Sequence, residues 1–187
     1  MPLYFDVEQE PDDQPALSLP YIQDFENGRT NHGIRDLRGR PDLASTIPEA
    51  ARSAALTELL VALAQPSAKY FTIGCLFVKL PPVDEADADD QAAGYIQFAY
   101  SDLKWEATDL NCQLTFAAAF KSRLEQSIGS DTWKVVVAIG TISTEGIGGP
   151  GIAWSISVEF WVKGDSLDDA CHSADRLLRV LKAMCTT

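Results

Sequence analysis

Residues 132–163 read TWKVVVAIGTISTEGIGGPGIAWSISVEFWVK, and the order of apolar and polar residues within them sets the class of fold. Ile152, Trp154, Ile156, Val158, Phe160 and Val162 fall on one side of an extended chain, and Ala153, Ser155, Ser157, Glu159 and Lys163 fall on the other. A period of two is that of a strand with one face in a core and one toward water. The preceding run, Thr132–Thr144, is equally rich in β-branched residues, and EGIGGPG between the two has the glycine content of a hairpin connection. An antiparallel hairpin is therefore predicted. Trp161 breaks the pattern, because it shares parity with the polar residues. A tryptophan aimed away from the core, between Glu159 and Lys163, is the candidate anchor of an interface.

After the hairpin, Ser166 and Asp169 form a capping box for a helix whose stripe runs Leu167, Ala170, Cys171, Ala174, Leu177, Leu178, Leu181, Met184. Before it, residues 108–128 alternate like a strand at Leu110, Cys112, Leu114 and Phe116 but step like a helix at Phe116, Phe120, Leu124 and Ile128. Helix is preferred, on Thr108 and Asp109 as caps and Gly129 as a stop. Lys69–Leu80 and residues 94–103 read as strands, joined by the acidic loop VDEADADDQAAG. Thr46 to Pro66 reads as one helix, capped by Ser45 or Thr46, with Pro48 in its first turn.

These elements predict a single α+β domain over 46–187, ordered α-β-β-α-β-β-α, with an antiparallel sheet of about four strands and helices packed mainly on one face. Tyr70 and Trp133 open equivalent strands, and the repeated order suggests internal duplication. Residues 1–45 hold five of the ten prolines and no sustained period, and read as an irregular arm. Arg29, His32, Arg35, Arg38 and Arg40 crowd the arm with only Asp36 to oppose them. They form either a strap on the acidic body or a contact for an anion.

A net charge of −12 and a pI near 4.4 repel phosphate backbones, so nucleic acid is not an expected partner, whereas a basic protein is. No apolar run approaches the roughly 20 residues that cross a bilayer, so no membrane partner is expected. The N-terminal sequence lacks the order of a secretory signal, and the cytoplasm is the expected location.

Motifs for chemistry are thin. The four cysteines are dispersed and read as reduced core thiols. The acidic loop lacks the glycine of a calcium loop, and EGIGGPG lies between strands rather than before a helix as a phosphate cradle would. His172 shares a helix face with Asp168 and Asp169 but has no nucleophile placed beside it. No catalytic residue, metal or cofactor is therefore expected. Two functional readings remain. One is a non-catalytic binding or adaptor protein of the immunity, chaperone or inhibitor kind, acidic enough to suit a basic protein and expected to form a homo-oligomer, a dimer. The other is a small-ligand-binding protein or enzyme whose site assembles between sheet and helices.

Overall fold

The computed structural model describes residues 3–11, 14–21, 33–80, 90–103, 105–127, 132–149 and 151–186. Its strands are β1 (Tyr4–Gln9), β2 (Leu17–Ser18), β3 (Tyr70–Leu80), β4 (Asp90–Tyr100), β5 (Thr132–Ser143) and β6 (Ile152–Gly164). The helices are α1 (Ala54–Leu63), α2 (Trp105–Thr108), α3 (Leu110–Ser127) and α4 (Leu167–Cys185). The α+β class stands.

The predicted hairpin forms, with Val137 opposite Val158 and Val135 opposite Phe160. It does not pair with the other hairpin through β5. Instead β6 lies against β4, giving the order β1-β5-β6-β4-β3 with β2 also on β5. The two central strands are the second strand of each hairpin, so the hairpins face one another across the β4–β6 line.

The sheet differs from the expected one in number and direction: it has six strands and is mixed. The arm supplies both additions. β1 runs parallel to β5 from Tyr4 opposite Lys134 to Gln9 opposite Ile139, and β2 continues along the same edge at Ile142 and Ser143. Two strands therefore precede the first helix, and the expected order fails there. YFDVEQ is short and charged, and a parallel edge strand needs only one neighbour, so its weak alternation gave no signal apart from the proline-rich surroundings.

Two boundaries also move. Between residues 41 and 52 the chain forms two short 3-10 helices rather than the start of one long helix, and α1 is capped by Ser53, whose hydroxyl accepts from Leu56 N–H at 3.0 Å. Pro48 restarts the turn, because its ring excludes the hydrogen bond that a continuous helix needs there. β4 begins at Asp90, earlier than the predicted 94, because Gln91–Ala93 find partners on both sides, in β3 and β6, and Asp90 pairs with Gly164 of β6. Within residues 108–128 the helix preferred from the sequence forms over Leu110–Ser127, and Asp109 Oδ1 accepts from Asn111 N–H at 2.9 Å, while Ile128 and Gly129 lie outside the described residues.

α1, α3 and α4 cover one face of the sheet. Their buried residues meet Ile96, Phe98, Val135, Val137, Ile139, Ile156, Val158, Phe160 and Val162 in one cluster. Ser53 Oγ donates to Asp175 Oδ1 at 2.6 Å and Lys182 Nζ meets Glu58 at 2.8 Å, which ties α1 to α4. The cap at Ser166 forms as read, accepting from Asp169 N–H at 3.2 Å.

Candidate functional site

Because opposite residues of a ladder point the same way, the second face of the sheet can be written as rows. One row is Val78, Ala93, Trp161, Lys134, Tyr4; the next is Leu76, Tyr95, Glu159, Val136, Asp6; the third is Gly74, Gln97, Ser157, Ala138, Glu8. The far end of this face is covered. Glu10 lies across Gly140, the Arg38 guanidinium stands 4.8 Å from the Phe71 ring, and Ile142, Ala153, Ser155, Ala99 and Phe71 are buried. The Tyr21 hydroxyl reaches over to donate to Ile73 C=O at 3.0 Å.

Beyond Tyr95 and Glu159 no helix among the described residues lies on this face. Exposed apolar side chains flank it at Tyr4 (55%), Leu76 (37%) and Leu80 (37%). At its centre, Ala93 is small enough for Trp161 to lie beside it, and both Ala93 and Val136 are buried at 5% and 6%. Lys134 Nζ sits 4.9 Å from the Trp161 ring and 6.0 Å from that of Tyr4, a cation held between two aromatic faces. The Glu159 carboxyl is half-buried, and its pKa is raised, first by burial and then by repulsion from Glu8, with Lys134 opposing.

Of the residues singled out from sequence, Trp161, Glu159 and Lys163 do share this face, each half-buried. Parity gave that. The residues that complete the surface, Lys134, Tyr95, Tyr4, Asp6 and Glu8, were missed. Lys134 and Val136 stand in the same phase of β5 and were legible in principle. Tyr4, Asp6 and Glu8 were not, since their strand was not recognised.

Among the described residues, Arg35 and Arg38 have separate partners within the chain. Arg38 forms a two-pronged pair with Asp36, Nη2 to Oδ2 at 2.6 Å, and Arg35 Nη1 donates to the carbonyl and hydroxyl of Thr46 at 3.1 and 3.2 Å. The Asp36 carboxyl is held below the ordinary aspartate value by that pair. Arg40 is exposed, and Arg29, with His32 and residues 83–89 of the acidic loop, lies outside the described residues.

A shallow cleft of about 320 Å³ opens between Pro66–Lys69 and Tyr100–Asp102, with Glu106 at its side. Lys69 Nζ lies 5.5 Å from the Tyr100 ring. Burial pushes the hydroxyl of Tyr100 upward, and that of Tyr70 further, since it also donates to Tyr100. Both phenols therefore stay protonated at neutral pH, which is the wrong state for a base. The four thiols move the same way: burial pushes Cys75 and Cys185 up to about 12, and raises Cys112 and Cys171 as well. A nucleophilic cysteine needs the opposite shift. Among the described residues no group of histidine, cysteine and carboxylate side chains is placed to hold a metal, and no helix is long and apolar enough to cross a membrane.

The chain matches no protein-family model, no curated protein and no solved structure.

Proposed function

We propose that this chain is a non-catalytic binding protein that holds a basic protein against the second face of its sheet, with Trp161 as the central anchor. The observation that carries the reading is the one-sided helical layer: three helices lie on one face, whereas the other keeps Tyr4, Leu76, Tyr95 and Trp161 around a half-buried Glu159. Aromatic groups that lose little conformational freedom on contact are the side chains that dominate binding energy. Asp6, Glu8 and Glu159 set the sign of the field there, with the net charge of −12 behind them.

A second copy of the chain fits less well, because a two-fold contact through this face would bring the three carboxylates of each copy together. The alternative of a small-ligand site or enzyme rests on the cleft beside Lys69. Its groups are few, and its phenols are held protonated.

The test is site-specific photo-crosslinking from position 161, with position 172 on the exposed side of α4 as control, followed by binding of the purified crosslinked protein. The reading expects a basic protein joined from 161 and not from 172, and binding weakened roughly thirtyfold by Trp161→Ala, the effect of losing a buried aromatic anchor. Equal crosslinking from both positions, or binding indifferent to Trp161→Ala, refutes it.

A further inference from the structure

The two edges of the sheet are finished differently. At the β3 edge, outward carbonyls are taken by the chain's own side chains: Tyr21 donates to Ile73 C=O and Arg52 Nη1 to Phe77 C=O at 3.3 Å, and the ladder shifts register between Thr72 and Gly74. Such devices stop a sheet from growing. At the β1 edge, no other element bonds to the outward side among the described residues.

The direction of each β1 amide follows from its pairing. Glu10 N–H donates to Ile139 C=O at 2.9 Å, so the amides of even-numbered residues point to β5 and those of Phe5, Val7 and Gln9 point out. One of them is already engaged: Val7 N–H donates to Oδ1 of its neighbour Asp6 at 2.8 Å. This exposed carboxylate oxygen stands where the carbonyl of an added strand would accept.

We propose that the outer edge of β1 takes up an extended basic segment of the partner as a seventh strand, its carbonyl replacing the Asp6 oxygen on Val7 N–H. The proposal rests on the reading of the second face as a binding surface, which it extends past Tyr4, Asp6 and Glu8. Charge selects the occupant. If two copies of the chain paired β1 to β1 antiparallel, with their second faces continuous, Asp6 would stand opposite Asp6 or Glu8 in the central registers, and like charges directly opposite are destabilising. In an added strand, every second residue would lie beside Asp6 and Glu8 and the intervening ones beside Phe5 and Val7. Val7 is 40% exposed. The segment that fits alternates Lys or Arg with an apolar residue, and main-chain hydrogen bonds supply the affinity.

The experiment uses the full chain, labelled with ¹⁵N, and an end-blocked eight-residue peptide alternating Lys and Val. Amide exchange at Phe5, Val7 and Gln9 should slow at least about tenfold with peptide bound. A peptide of the same composition with its lysines in one block, or with Glu for Lys, should bind at least about tenfold more weakly. Val7→Pro removes the central donor and should abolish the protection. Asp6→Lys with Glu8→Lys, at surface positions that leave the backbone intact, should do the same, and covers the case in which the proline variant does not fold. The proposal is overturned if the peptide leaves these amides unprotected, if the lysine pair changes nothing, or if the amides become protected with rising protein concentration and no peptide. A partner released by Trp161→Ala but not by the β1 variants would leave the face reading standing and sink the edge. Protection by peptide beside a partner insensitive to Trp161→Ala would do the reverse.

Discussion

Gly94 stands at the middle of the central strand β4, opposite Phe77 on one side and Phe160 on the other, and the two rings meet over it with centroids 6.2 Å apart. A methyl group added there would run into the Leu76 carbonyl and stand 2.8 Å from Phe160 Cζ. One of these obstacles is a ring and the other is backbone held in the ladder, so the strands must part. Forcing a methyl into a filled core costs about 1–3 kcal/mol, and with a backbone atom in the way Gly94→Ala is expected near the top, about 3 kcal/mol. The same exchange in an unobstructed strand would gain roughly 0.5–1 kcal/mol, so the sign itself is diagnostic. Urea unfolding followed by circular dichroism, with an unchanged slope, reads the difference. Combining it with Phe160→Leu should recover about 1 kcal/mol, because the ring is only half of the obstruction. A loss below about 1 kcal/mol for Gly94→Ala, or any gain, would refute the packing described for the two hairpins.

Two further outcomes test the helical layer and the charge on the open face. Ser53→Ala removes both the cap of α1 and the bond to Asp175, and should cost about 1–2 kcal/mol in the same urea assay; Ser53→Asp should fail to restore it, since a carboxylate would then face Asp175. The Glu159 pKa is raised in the folded chain, so the folded state holds the proton longer and stability falls as pH rises from the ordinary glutamate value through the raised one. Glu159→Gln should therefore melt higher than the parent at pH 7, with the advantage vanishing below the ordinary glutamate pKa; thermal scans from pH 3 to 8 that show no such convergence would contradict the burial of this carboxyl.

Residues 156–163 and 166–185 carried most of their own answer. At the start of β6 the sides exchange: Ile152, read on the core side, is 56% exposed, and Ala153 and Ser155, read toward water, are buried, because the far end of the second face is covered. Alternation placed Val158, Phe160 and Val162 in the core and Trp161 opposite, and the stripe on α4 fixed which side it packs, because both are local periodicities that burial enforces residue by residue. The charge and the cap at Ser166 were equally legible. The neighbours of each strand were not. That β6 meets β4, and that an unremarkable YFDVEQ in the arm closes the edge of β5, follow from competition among strands for a partner, a choice made between residues far apart in the chain, as Ala99 is from Ser155 and Tyr4 from Lys134. The candidate surface depends on that choice: Tyr4, Asp6 and Glu8 join Trp161 and Glu159 only because a parallel pairing, invisible in the local sequence, lays β1 beside Lys134.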